Sequence, residues 1–375
     1  MTGAGNKLVL VRPGHGAGLQ DRLFATDSVM GDFGHFNTPF SYWRQRCAAE
    51  GIALHTWDMA PLHRADVFWI LDLPPTRAEL QRLRREHPRT PIVLQVHESP
   101  VDRLHYFDAR NHAECDRVLT YDPSRRADGK YVPYHLPASD FGSGRPSKSF
   151  AARRPIAMLQ TNRYAGWMAP RGPGRAGLPV VGPLLGGWHL HPSRLLATER
   201  AENYSRRRRL ARAAERACPE DFDLFGANWA GEPASWLHRF RRPKPFACLR
   251  ARRVGAKYEL LSGYRFVIAF ENYTGNLGYI SEKLFDGLYG DCVPIYLGDT
   301  DIEHYVPADA FVDGRKFRSP EELLDYCRQC PEAEWEAMYR AGQAFRRSPA
   351  IKPFQEEAFA ETALGVLRSV LPPRT

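Results

Sequence analysis

At 375 residues the chain exceeds what one hydrophobic core ordinarily organises, so two domains are expected. Its 43% hydrophobic and 25% charged residues are those of an ordinary globular protein. With no apolar run as long as a membrane span and no apolar core near Met1, neither a transmembrane helix nor a secretory signal is expected. The formal charge of +9, concentrated in arginine-rich patches at 206–209, 239–242 and 250–253, points to an anionic partner: a phosphorylated small molecule, or an anionic membrane surface touched peripherally. Zinc-finger spacing, an RNP-type aromatic motif and a basic helix with heptads are all missing, so nucleic acid is not expected. The seven cysteines are sparse, odd in number and irregularly spaced, which reads as reduced thiols in a cytoplasmic protein. Cys327 and Cys330 form a CxxC with no second pair, and are read as incidental to a helix.

In chain order, Lys7 to Val11 reads as a strand, followed by a glycine-rich loop. The GHGAG at 14–18 lacks the third glycine of a dinucleotide fingerprint. Phe40 to Glu50 reads as a helix, Ile52 to Trp57 and Ala65 to Leu73 as strands, Arg77 to Glu86 as a charged helix, and Pro91 to Val96 as a buried strand. This alternation predicts an α/β fold with an open parallel sheet. The last strand runs into Val96-His97-Glu98-Ser99-Pro100, placing His97 and Glu98 at a carboxyl end, where open sheets bind ligands. Two readings of Glu98 stand side by side: a general base for a hydroxyl proton, or a residue beside a Ser99-Pro100 helix start. Arg117 to Tyr121 is a further strand and Tyr131 to Leu136 an extended piece. The Gly-, Ser-, Pro- and Arg-rich passage Ser139 to Arg154 is a linker. The predicted boundaries are a first domain at 1–145, a linker at 146–154, a second domain at 155–350 and a C-terminal helix at 351–375.

The alternation then restarts. Pro155 to Leu159 is a strand ending in Gln160-Thr161-Asn162, Tyr204 to Ala217 a basic helix, and Asp223 to Gly226 a strand. Arg206 to Arg209 fall at the start of that helix, where guanidinium groups and free N–H groups would clamp a pyrophosphate. At helical spacing only one or two of the four can point inward. The chain is organised around 265–298, RFVIAFENYTGNLGYISEKLFDGLYGDCVPIYLG. Phe266 to Phe270 is a buried strand, Glu271 and Asn272 lead into a glycine-bearing turn, Ile280, Leu284 and Leu288 mark one face of a helix that Gly290 stops, and Val293 to Leu297 is the next strand. Glu271, Asn272, Tyr279, Glu282 and Lys283 crowd one strand-to-helix handover, which marks an anion site. For Glu271 a second reading is that it holds the loop by accepting backbone N–H bonds. Asp299-Thr300-Asp301 is a DxD, read either as a metal-binding pair or as a cap. Glu321 to Cys330 and Phe354 to Leu371 are helices.

The stretch 266–298, continued by YVPADAFVDGRKFRSPEELLDY, resembles the signature of the α-1,3/4-fucosyltransferases, glycosyltransferase family 10, in both motif letters and spacing over roughly 65 residues. HESP at 97–100, TYDPSRRADGKYVPY at 120–134, QTN at 160–162 and the arginine helix running into DFDLFG are similar to further family segments in the same order, while 166–203 is an insertion relative to them. The resemblance implies a GT-B architecture of two Rossmann-like domains facing each other across a cleft. It further implies metal-independent inverting transfer of fucose from GDP-fucose to a hydroxyl of a glycan or glycoconjugate. On that likeness Glu98 is the general base. Arg209, or Arg208 if the register differs by one, lies on the diphosphate with Lys283; Glu282 lies near the ribose or sugar; and Asn272 and Tyr279 make other donor contacts. His97, Glu271 and Asn162 are further candidates. Glu282 would also stabilise positive charge at the anomeric carbon. The alternatives are another nucleotide sugar or a small-molecule acceptor on the same fold and, more remotely, a non-catalytic basic binder of nucleic acid or membrane.

Overall fold

The computed structural model describes residues 7–26, 37–74, 76–125, 129–140, 148–164, 188–189, 201–231 and 244–371. The chain divides into two compact units, the first built from the N-terminal residues to Ser139, a short segment around 188–189, and the C-terminal residues from Pro353 on; the second from the rest.

The first unit is a parallel sheet of β1 (Lys7–Arg12), β2 (Ile52–Thr56), β3 (Val67–Leu71), β4 (Ile92–Gln95), β5 (Arg117–Thr120) and β6 (Tyr131–Pro133), in the order β2-β1-β3-β4-β5-β6. Val-Phe-Trp-Ile-Leu of β3 is buried at every position, as a central strand covered on both faces requires. The flanking helices are α1 (Thr38–Ala49), with Pro39 in its first turn, and α2 (Arg77–Glu86), whose N-cap Thr76 accepts from Glu79 N.

The second unit holds α3 (Tyr204–Ala217), α4 (Lys257–Leu261), α5 (Glu282–Tyr289), α6 (Pro320–Gln329) and α7 (Glu332–Arg347) around a parallel sheet of β7 (Arg154–Leu159), β8 (Phe222–Phe225), β9 (Leu249–Ala251), β10 (Tyr264–Gly275), β11 (Val293–Asp299) and β12 (Val312–Asp313). The order β9-β8-β7-β10-β11-β12 reads 3-2-1-4-5-6 within the unit, the doubly wound arrangement, with its switch point between β7 and β10. The last helix, α8 (Glu356–Val370), belongs to the first unit. Phe359 packs edge-on to Phe40 and Trp43 at 5.5 and 6.0 Å between ring centroids, and Glu361 meets Arg46 at 2.5 Å.

Several elements differ from the sequence-based expectations. No α-helix starts at Ser99-Pro100: Ser99 Oγ donates to Asp102 Oδ2 at 2.7 Å, and the chain continues in short 3-10 turns at Leu104–Phe107 and Ala109–His112. Glu271 and Asn272 lie within β10 rather than after it, because the outer half of that strand has partners of its own. Asn203 N donates to Asn272 O and Thr274 N to Ala201 O, at 3.1 and 2.8 Å. Helix α7 was not anticipated, nor was β9, which occupies part of the arginine patch at 250–253. Among the described residues no helix is long and apolar enough to cross a membrane. The arginine patch at 239–242 and most of the 166–203 insertion, including His191, lie outside the described residues.

Candidate functional site

Parallel sheets bind ligands beyond their carboxyl edges at the point where strand order reverses. In the second unit that point lies between β7 and β10, and both strands end in polar residues. Gln160, just past β7, donates from Nε2 to Phe270 O of β10 at 2.8 Å. One residue further on, Glu271 is wholly buried, and its two oxygens accept from Ser281 N and Ser281 Oγ, both at 2.7 Å. Ser281 is also the N-cap of α5. Glu271 therefore fixes the start of α5 against the end of β10, the loop-holding reading of this residue. Gly298 on β11 leaves room for it: an added Cβ there would lie 2.5 Å from Glu271 Cγ.

The first turn of α5 then presents Glu282 and Lys283. Lys283 Nζ lies 3.0 Å from Ser281 Oγ, 3.1 Å from Glu282 Oε1 and 3.6 Å from Glu271 Oε2. Its side chain is 18% exposed and that of Glu282 49%. From α3, the buried Arg207 donates through Nη2 to Phe270 O and, at 2.9 Å, to Asn272 Oδ1. From α4, Lys257 pairs with Asp286 of α5 at 2.7 Å. A helix N-terminus and three cations, Lys283, Lys257 and Arg207, thus meet the carboxylates of Glu271, Glu282 and Asp286 at one strand-to-helix junction.

The titrations follow from this packing. Burial would lift the Glu282 carboxyl, but Lys283 and Lys257 hold it down at about 2. Burial lifts Glu271 above its ordinary value despite Lys283. For Lys283 burial works against the charge, yet Glu282 and Glu271 outweigh it and raise the pKa, while Arg207 pulls it down. Lys283 is therefore a fixed cation, held charged by Glu282 and Glu271.

At the carboxyl edge of the first unit, Glu98 lies past the end of β4 with its side chain 24% exposed, and His15 from the loop after β1 approaches it at 4.0 Å. Its backbone is held from two sides. The N–H groups of His97 and Glu98 donate to Asp72 Oδ1 at 2.8 and 3.2 Å, and Tyr121 Oη donates to Glu98 O at 2.7 Å. Tyr134 Oη supports Val96 O at 2.5 Å. The GHGAG loop thus contributes His15 to this edge, and the structure gives it no dinucleotide-type helix.

The structure brings Glu271, Asn272, Glu282 and Lys283 together at one junction, with Tyr279 buried in the turn that leads to it. Asn162 is buried beside Ala227 and Asn228 at the end of β7. Of the four arginines, it is Arg207 that turns inward. Arg206 and Arg209 are exposed, and Arg208 stacks its guanidinium 3.8 Å above the Tyr164 ring. The resemblance implies Arg209 or Arg208, and register within a run of identical residues carries no signal for which of them turns inward. Asp72 also went unnoticed; the only signal was a carboxylate ending an otherwise apolar strand. In the DxD, Asp299 accepts from Gly278 N at 2.6 Å and Asp301 N at 2.9 Å, so both its oxygens hold backbone. Among the described residues no group of three or more His, Cys, Asp or Glu is placed to hold a metal ion.

Two parallel-sheet α/β units of this kind define the GT-B class of glycosyltransferase fold, and solved members share it. An α1,3-fucosyltransferase with GDP-fucose superposes with a TM-score of 0.50 at 13% identity, covering 98% of this chain and 91% of its own. Anabaena Alr3699/HepE in complex with UDP gives 0.52 at 11%, covering 97% and 100%. Residues 246–362 match the family model "Glycosyltransferase family 10 (fucosyltransferase) C-term". An α-(1,4)-fucosyltransferase of Arabidopsis thaliana is 38% identical over 87 residues, 22% of this chain and 21% of the relative. The chain thus matches about a fifth of the length of that curated relative.

Proposed function

We propose that the protein transfers fucose from GDP-fucose to a hydroxyl of a glycan or glycoconjugate acceptor, with inversion at the anomeric carbon. The observation that carries this reading is Lys283 at the start of α5, inside the segment matched to the family, with the Arg207 cation of α3 acting on it. A diphosphate leaving group places its negative charge where two cations and a helix N-terminus already converge, and such preorganised charge lowers the barrier to its departure. Lys283 and Arg207 are the residues we assign to the diphosphate. Asn272, held by Arg207, and Tyr279 line the donor side. Glu282 stays ionised at neutral pH; it cannot act as an acid there, and serves to stabilise positive charge at the anomeric carbon. Glu98 takes the proton from the acceptor hydroxyl as its oxygen bonds to C1 and the C1–O bond to GDP breaks. No step requires a divalent metal. The seven cysteines are buried free thiols, in keeping with work in the reducing cytoplasm.

The test is a thermal-shift panel of GDP-, UDP- and dTDP-sugars followed by GDP release with glycan acceptors. GDP-fucose should stabilise the protein most, and Glu98→Gln should abolish turnover while keeping that shift. Stabilisation by a dTDP-sugar alone would overturn the donor assignment, and full activity of Glu98→Gln would overturn the base.

A further inference from the structure

Asp72 has no part in the reading above, yet its placement is unusual. It sits at the carboxyl end of β3, beside the β1–β3 switch point of the first sheet. It is 7% exposed and has φ of 61°, a left-handed backbone that a residue other than glycine adopts only when its surroundings require it. Its own N–H is tied to Gln95 O at 2.9 Å, which fixes β3 to β4 at this point. Oδ1 then receives two N–H groups in succession, those of His97 and Glu98. A Cβ on Gly14 would lie 3.4 Å from Oδ2, so the loop after β1 closes over the other face of the carboxylate.

We infer that Asp72 is a positioning residue for Glu98: its carboxylate clamps the two peptide N–H groups that set where the Glu98 side chain leaves the edge of the sheet. This rests on Glu98 being the general base. Charged and titratable groups surround the clamp from every element packed on it. His15 comes from the loop after β1, Asp102 and Arg103 from the turn after Pro100, Tyr106 from the 3-10 turn beyond it, Tyr121 and Tyr134 from the ends of β5 and β6, and His97 and Glu98 from the end of β4. Burial pushes the Asp72 carboxyl up to about 6, while the His97 and Glu98 N–H groups and Arg103 pull it down. Ionised, it is a stronger acceptor for both N–H groups than it is when protonated. The clamp should therefore loosen as the pH falls through about 6.

Two variants separate the contributions. Asp72→Asn keeps an acceptor oxygen and tolerates the left-handed backbone; Asp72→Gly tolerates it better and removes the acceptor altogether. We expect Asp72→Gly to lose about 100-fold in kcat with donor KM unchanged, the scale of a reacting group misplaced by about an ångström. Asp72→Asn should recover most of that loss and show a rate limb near pH 6 that is flattened relative to wild type. Independently of activity, the His97 and Glu98 amide protons of the full chain, followed by NMR, should shift together with a midpoint near 6 and stop doing so in Asp72→Asn. A folded Asp72→Gly with wild-type kcat, or wild-type amides that do not titrate, overturns the inference. Should the protein turn over no sugar nucleotide, the reading of Glu98 fails, while the amide titration still decides whether the clamp exists.

Discussion

The two units carry the same device at corresponding places and use it differently. Each has a buried carboxylate in the carboxyl-terminal part of a central strand or just past it, accepting backbone N–H groups from the segment that bears the candidate functional side chains. Asp72 holds His97 and Glu98; Glu271 holds Ser281 and so the start of α5. They differ in what stands opposite. Lys283 lies 3.6 Å from Glu271, whereas around Asp72 the surroundings are mostly tyrosine hydroxyls, other acids and the more distant Arg103. A carboxylate matched by a lysine makes a charge-paired junction, the one we assign to the leaving diphosphate. One matched by hydrogen bonds supports an acidic edge suited to taking a proton. On the proposed reading, the two units divide anion binding from proton transfer by the counter-charge each sets against its carboxylate.

The largest way to break this contrast is to remove the counter-charge. Lys283→Met strands the fully buried Glu271 without its cation, and leaving a buried charge unpaired costs about 3–5 kcal/mol. Urea denaturation should show that loss in the second unit, and GDP should no longer raise the melting temperature. Adding Glu271→Gln should return most of the stability and none of the nucleotide response. If the double variant binds GDP normally, the junction is not an anion site.

The pH dependence of stability sharpens the other half. The folded-state pKa of Asp72, about 6, lies above the ordinary 3.8, so the folded protein binds more protons than the unfolded chain between those values. The stability this group contributes is fully present below about 4 and is lost as pH rises through about 6, on the order of 1–3 kcal/mol. His105 and His112 oppose it. Burial holds their pKa values at about 3 and 4, so their contribution is lost as pH falls below the ordinary 6.5. Only the Asp72 component should disappear in Asp72→Asn. The difference between variant and wild-type stability, measured by urea denaturation from pH 4 to 8, should therefore rise with pH through 6 in favour of the variant. A flat difference would mean that Asp72 titrates normally.

Much of the fold was legible because parallel strands buried on both faces are continuous apolar runs with glycines and polar residues at their ends. β3, β10 and β11 all show it. The Glu271–Lys283 junction was legible too, since it is local in sequence: thirteen positions carry the strand end, the turn, the cap and the cation. What escaped depended on distant partners. Asp72 acquires its role only when β3 and β4 pair and the loop 25 residues further on folds back over it. The extension of β10 depends on residues 201–203, delivered by the insertion. Ser99-Pro100 looked like a helix start because its local chemistry suits one; Ser99 spends its hydroxyl on Asp102 in a turn instead.

The four successive arginines give the finest version of the contrast, with the smallest expected effect. A helix advances 100° per residue, so neighbours in an arginine run face different surroundings however alike they are chemically. Arg207 lies under β10, tied to Phe270 O and Asn272 Oδ1, while Arg209 is exposed two residues on. Arg207→Ala should weaken GDP binding about 10–100-fold, the order expected for losing a charge-assisted contact worth about 1.5–3 kcal/mol. It should also destabilise the unit, because Asn272 and the Phe270 carbonyl lose their donor. Arg209→Ala should change stability by no more than about 0.5 kcal/mol, as exposed substitutions generally do, and GDP affinity by less than about twofold at physiological salt. Titration calorimetry with GDP on the two variants decides between them. A larger loss in Arg209→Ala than in Arg207→Ala would mean that the diphosphate meets the exposed face of α3, and the buried cation pair would then be structural.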